Sequence, residues 1–149
     1  MLPRIVPDIL SGKETTFIAA DASVREAARI MAELRIGALL VGTREHLAGI
    51  LSERDLVSRV LAPGRDPDAT RVAEVMTPDP DTIAPDAFAN EALDMMREGG
   101  YRHLPVIDNG RVVGIVSVRD LYAAIESRLE EDLQEREAFL FQAGLGDRH

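Results

Sequence analysis

Two stretches of this 149-residue chain place a hydroxyl and a carboxylate at one fixed spacing. Gly49, Ile50, Ser52, Arg54 and Asp55 recur 65 residues later as Gly114, Ile115, Ser117, Arg119 and Asp120. Each Gly-Ile pair lies in an apolar run that reads as a strand, and each Ser stands where the next helix begins. Backbone N–H groups at such a corner point outward and favour an anion. An aspartate three residues beyond the hydroxyl can accept both hydroxyl hydrogens of a cis-diol, the grip a ribose requires. Ile50 and Ile115 are flat and apolar enough to cover a purine face. The same Ser-x-x-Asp spacing is also a capping box that needs no ligand, and a duplicated cap would repeat as well as a duplicated site. The residues alone leave both readings open.

Other chemistries find little support. Cysteine is absent, which removes disulfides, thiolate nucleophiles and cysteine-bound metals. His46, His103 and His149 stand far apart, without the close spacing of a catalytic zinc site. There is no glycine-rich phosphate loop and no nucleophile–base pair, so an enzyme is not expected. The net charge of −9 argues against nucleic-acid polymers and anionic membranes as partners. It leaves room for a small basic pocket. Of the 17 basic residues, Lys13 is the only lysine. The arginine excess suits bidentate phosphate contacts, although a compositional bias of the genome accounts for it equally. No apolar run approaches a membrane span, and the first ten residues lack the apolar core of a signal peptide. A cytoplasmic protein is the expectation.

The motifs belong to a longer duplication. Residues 14–60 align without a gap on 79–125, with 16 of 47 positions identical; chance would give about three. Each copy is too short for a good core of its own, so the two are expected to pack about a pseudo-twofold axis. Ser23 and Glu26 form a capping-box pattern opening a helix whose inner face reads Val24, Ala27, Ala28, Met31 and Leu34. Asp86 is expected to cap the equivalent helix, with Ala89, Leu93 and Met96 inward. Residues 38–41 and 104–107 read as buried strands. Asp108, Asn109 and Gly110 signal a tight hairpin into a strand over 111–116. Each copy is therefore predicted to be β-α-β-β-α, giving an α/β (α+β) fold. The turn-forming residues 62–69 read as the loop between copies.

With these motifs in view, the chain resembles a tandem pair of CBS domains, a Bateman module, over roughly residues 5–125. The carriers are the two Gly-to-Asp motifs, the segment Arg102-His103-Leu104-Pro105-Val106, and Met76-Thr77-Pro78 leading into the second copy. The resemblance implies two pseudo-symmetric clefts that bind adenosine-containing ligands: AMP, ADP or ATP, with S-adenosylmethionine or NAD as further options. It implies no obligatory cofactor. By position, Asp55 and Asp120 would take ribose hydroxyls, and Ser52 and Ser117 would contact ribose or phosphate. Ile50 and Ile115 would flank the adenine, bordered by backbone around Gly37-Ala38 and Arg102-His103. Arg102 and His103 would reach phosphate. Gly37 and Ala38 hold the matching positions of the first copy, so unequal sites are expected. Four residues also have plainer readings. His103 can be a satisfied core histidine, Arg54 and Arg119 can be solvated or ion-paired, and Tyr101 can pack rather than stack on a base.

Beyond the repeat, Leu121, Ile125, Leu129 and Leu133 recur every four residues, followed by Phe139, Leu140 and Phe141. With no Pro or Gly before Gly144, this predicts a helix of about 25 residues with an apolar stripe. The stripe must fold back or meet a second subunit, and a homodimer is expected. The sequence thus divides into 1–68 (first repeat with its lead-in and linker), 69–126 (second repeat) and 127–149 (helical tail). The expected function is a regulatory module that senses an adenine nucleotide and signals to an unknown partner. A ligand-free dimeric scaffold is the alternative.

Overall fold

The computed structural model describes residues 2–10 and 15–143. Lys13, Gly144 and His149, singled out above, lie outside these residues. The first copy contains β1 (Phe17–Ile18), α1 (Val24–Leu34), β2 (Ala38–Gly42), β3 (Leu47–Ser52) and α2 (Glu53–Leu56), which runs on into a wider π-helical turn at Val57–Leu61. The linker forms α3 (Val72–Val75) and β4 (Thr77–Pro78). The second copy supplies α4 (Ala89–Gly99), β5 (His103–Asp108), β6 (Arg111–Ser117) and the long α5 (Val118–Gln142). Its first strand shrinks to a single parallel bridge, Ile83 to Val106.

Local chemistry sets the element ends. The Ser23 hydroxyl accepts the Glu26 N–H at 3.2 Å and opens α1. Arg35 closes α1 in the left-handed region, where its counterpart Gly100 closes α4. Val24, Ala27 and Met31 line the inner face of α1, but Leu34, expected inward, is 53% exposed at the helix end. Asp86 does not cap α4. Phe88 stands at the N-cap, 65 residues after Ser23, and its N–H donates to the Glu91 carboxylate at 3.0 Å. Asp86 lies two residues too early, inside a turn closed by the Ala87 N–H on the Ala84 carbonyl. Ala89, Ala92 and Met96 are the buried residues of α4, while Leu93 is half-buried. The hairpin at Asn109 and Gly110 turns through two left-handed residues, as the sequence predicts.

Strands β1 to β4 form one sheet in chain order, with β1 parallel to β2 and the other pairs antiparallel. Strands β5 and β6 pair separately. Each sheet covers its own core. Val72 and Val75 of the linker complete the core of the first copy, beside Leu39, Val41 and Leu51. Ile5 completes that of the second, beside Leu104, Val106 and Val116.

The segment preceding each copy therefore docks on the other copy, with matching hydrogen bonds. Val72 and Ala73 N–H groups donate to the Ala22 and Ala20 carbonyls, and Val24 N–H donates to Thr70. In the second copy Ile5 and Val6 donate to Ala87 and Pro85, and Ala89 donates to Pro3. All six bonds measure 2.8–2.9 Å. Burying each of these apolar side chains contributes about 1.5–3 kcal/mol, so the crossed segments hold the copies as one unit.

The motif glycines make room for this crossing. A Cβ at Gly49 would lie 2.7 Å from the Thr77 carbonyl oxygen and 2.6 Å from Met76 Sδ. A Cβ at Gly114 would meet only the flexible tip of Leu10, at 2.6 Å. Gly49→Ala is therefore expected to destabilise by about 1–3 kcal/mol in urea titration, because backbone must move. Gly114→Ala is expected to cost less than about 1 kcal/mol. Equal losses would contradict this assignment.

Candidate functional site

Two clefts open where the copies meet. The first, about 900 Å³, is lined by Ile50, Ser52, Arg54 and Asp55 of the first copy and by Tyr101, Arg102 and His103 of the second. The second, about 510 Å³, is lined by Ile115, Ser117, Arg119 and Asp120 of the second copy and by Gly37 and Ala38 of the first. Both volumes fall in the range of small-ligand pockets. The thirteen candidate ligand-binding residues of the sequence, from Gly37 to Asp120, each line at least one of the two clefts, whereas Gly49 lines neither. Each motif aspartate thus faces a wall supplied by the other copy, a pairing the sequence leaves open.

Both Ser-Asp corners are complete capping boxes. Ser52 Oγ accepts the Asp55 N–H at 3.2 Å, and Asp55 Oδ2 accepts the Ser52 N–H at 2.9 Å. The second copy repeats this, with Ser117 Oγ accepting at 3.1 Å and Asp120 Oδ2 at 3.2 Å. The second Asp55 oxygen, Oδ1, sits 3.8 Å from Arg59 Nε. A carboxylate offers about four lone-pair sites, so the cap leaves acceptor capacity on Asp55.

Several side chains near the corners are already engaged. Arg54 Nη1 donates to the Gly100 carbonyl across the divide at 3.3 Å. Arg119, its counterpart, is exposed at the second cleft. The Tyr101 hydroxyl donates to Asp81 at 2.8 Å. Burial, reinforced by Asp81, pushes this phenol up to about 12. Its ring also lies against Gly99, where a Cβ would come within 2.1 Å of it. Tyr101 is thereby a fixed wall of the first cleft.

Gly37, Glu53, Arg102 and His103 line both clefts. The His103 imidazole fills the space that a Cβ at Gly37 would approach, 3.2 Å away. The expectation of a phosphate pair confined to one cleft thus takes another form, because Arg102 and His103 border both. Burial lowers the His103 pKa; Glu53 and Asp120 oppose the shift, and Arg102 adds to it. His103 is accordingly neutral at pH 7, a hydrogen-bonding group rather than a cation.

Some lining residues escaped the sequence reading. Thr77, Pro80 and Asp81 border the first cleft, and Thr15, Thr16 and Arg35 the second. They lie on β4, in loops and at a helix end, outside the identical blocks of the repeat. Arg59 donates to the Val75 and Met76 carbonyls at 2.9 and 3.1 Å and ties the linker to the first motif. Its counterpart is Ala124, so only the comparison of the two copies could have marked it. Among the described residues no helix is long and apolar enough to cross a membrane. Among them, too, no group of three or more His, Asp or Glu could hold a metal ion.

Crossed lead-in segments, two repeated units and paired clefts between them define a tandem-repeat architecture. The CBS domain family model matches residues 8–62 and 72–127, and the chain belongs to that family. A CBS domain-containing protein of Arabidopsis thaliana is 40% identical over 137 residues, covering 91% of this chain and 24% of its own length. The chain spans about a quarter of that relative. A solved CBS-domain structure from Burkholderia ambifaria superposes with a TM-score of 0.75 at 36% identity, covering 80% of this chain and 92% of the other. A CBS domain protein of Pyrobaculum aerophilum complexed with AMP gives 0.70 at 27% identity, covering 79% and 89%. A hexameric CBS-CP12 protein from bloom-forming cyanobacteria gives 0.75 at 25% identity, covering 97% and 91%.

The lowered pKa of His103 has a thermodynamic consequence. In the unfolded chain this imidazole titrates near 6.5, whereas the folded protein holds the neutral form to lower pH. Above 6.5 both states are neutral and pH makes no difference through this group. As pH falls through that value the unfolded state takes up the proton first, and folding stability declines. Urea titrations from roughly pH 7.5 to 5 are expected to show a shallower decline in His103→Asn than in the parent. Identical slopes would contradict the burial of a neutral His103.

Proposed function

We propose that the chain is a regulatory module that binds an adenine nucleotide of the AMP, ADP or ATP class between its two copies and signals occupancy to a partner protein. One observation carries the reading: each Ser-Asp corner opens on a cleft whose far wall belongs to the other copy. A ligand there touches both copies, and any preference for one relative arrangement becomes a coupling free energy. The AMP complex of the Pyrobaculum protein supports the adenine assignment. Asp55 and Asp120 seat ribose hydroxyls in addition to capping, and Ile50 and Ile115 cover the base. The complete capping boxes favour a second reading, a ligand-free scaffold.

A thermal-shift panel separates the two. AMP at 100 times its dissociation constant stabilises by about 2.7 kcal/mol, which raises Tm by roughly 5–10 °C in a protein of this size. No shift with AMP, ADP, ATP, S-adenosylmethionine or NAD would favour the scaffold. Asp55→Ala and Asp120→Ala are each expected to cost about 1 kcal/mol as lost caps. The substitution at a ribose site also lowers AMP affinity by roughly tenfold or more. Unchanged affinity in both variants would reduce both aspartates to caps.

We further infer that α5 mediates self-association. Its first turns pack on the second core through Leu121 and Ile125, but Leu129, Leu133, Phe139 and Phe141 are 58%, 59%, 69% and 64% exposed. Among the described residues, α5 does not fold back over this stripe. Its second half carries Glu130, Glu131, Asp132, Glu135 and Glu137 against Arg136, whereas the first half balances Arg119 and Arg128 against Asp120 and Glu126. Antiparallel pairing with a second copy covers the stripe and keeps the two acidic halves apart. Light scattering is expected to give at least twice the 16.3 kDa chain mass. Leu129→Asp with Phe139→Asp is expected to return it to a single chain; a monomeric parent protein would overturn this arrangement.

A further inference from the structure

We propose that the two clefts share one anion-binding wall, so that the chain seats a single phosphorylated ligand at a time, in the second cleft. The first cleft then admits a ligand without a phosphate group. The inference rests on the nucleotide reading above and fixes its stoichiometry and the ligand class of each cleft.

The wall is built from non-equivalent residues at equivalent places. The Glu53 N–H donates to the Gly37 carbonyl at 2.9 Å, and the Val118 N–H donates to the Arg102 carbonyl at the same distance. Where a symmetric duplication would place two arginines, two histidines and two residues of one kind at the corner, this chain has Gly37, Ala38 and Glu53 facing Arg102, His103 and Val118. One guanidinium and one imidazole therefore border both clefts. Gly37 eases this for the imidazole: a Cβ there would press on His103 at 3.2 Å and on the Glu53 carboxylate at 3.1 Å. Two phosphates drawn to this wall would compete for one Arg102, and each, carrying nearly two negative charges at neutral pH, would repel the other. The neutral His103 and the Glu53 carboxylate add no positive charge to offset that repulsion.

The remaining charges decide which cleft wins. Among the described residues the first cleft sets Arg54, Arg59 and the shared Arg102 against Asp55, Asp79, Asp81 and the shared Glu53, and Arg54 and Arg59 are also held by carbonyls of Gly100 and the linker. The second sets Arg35, Arg119 and the shared Arg102 against only Asp120 and the shared Glu53 among the described residues. An anion is favoured in the second cleft. A nucleoside, whose diol and base carry no charge, suits the first, where Asp55 keeps acceptor capacity.

Isothermal titration of the full chain tests this with AMP and adenosine. One AMP per chain is expected, followed by one adenosine when the AMP-saturated protein is titrated again. Arg102→Gln and Arg119→Gln are each expected to weaken AMP by roughly tenfold or more, the loss of a charge-assisted contact. Adenosine binding to those variants is expected to change less than about threefold. Glu53→Gln is expected to tighten AMP. Two equivalent AMP sites per chain would overturn the shared wall while leaving the nucleotide reading intact. AMP affinity unaffected by Arg119→Gln would overturn the choice of cleft. Absence of any AMP binding would overturn the nucleotide reading and this inference with it.

Discussion

Each hydrophobic core in this chain is closed by a segment that precedes the opposite copy, and the rest of the architecture follows from that crossing. Ile5 is fully buried under the second sheet, and Val72 and Val75 under the first. Neither copy keeps its core covered if the two separate. A domain of this size could not afford two incomplete cores, so the pair must fold as one unit.

The same crossing builds the clefts. The linker that covers the first core continues as β4 beside β3, where the Gly49 site lets Thr77 pass at backbone distance. Thr77, Pro80 and Asp81 then become the rim of the first cleft. The N-terminal segment meets Gly114 only through the Leu10 side chain, and Leu10 borders the second. Core closure and ligand site thus share residues. A ligand that bridges the Asp55 corner to Arg102, or the Asp120 corner to Gly37, acts on the contact that defines the relative setting of the copies. In the function proposed above, this is the physical route by which a bound small molecule becomes a change of shape that a partner can read.

Much of this was legible in the residues. The 65-residue offset located both motifs and both helices, and Asn109-Gly110 marked the hairpin, because amphipathic spacing, capping residues and turn residues act locally. The long α5 was legible for the same reason. Asp86 misled because its residue type suits a cap, while the backbone registers the helix on Phe88, bridged to Arg4 from the start of the chain. The crossing itself leaves no local mark. Its paired segments, Pro3 to Val6 and Thr70 to Ala73, are 67 residues apart rather than 65 and share little identity. The shared wall was equally hidden: Gly37 and Ala38 read as the loss of a phosphate pair from one site. The folded chain places Arg102 and His103 on the lining of both clefts.

The crossed cores make the two copies one cooperative unit, and in the proposed function their interface receives the ligand. Native-state hydrogen exchange, with and without AMP, tests this most directly through the buried amides of Leu39 to Val41 and of Leu104, Val106 and Val116. The account predicts a single opening free energy for both groups, since neither core survives alone, and an equal rise in both when AMP binds. Separate opening free energies, or protection by AMP confined to one copy, would contradict it.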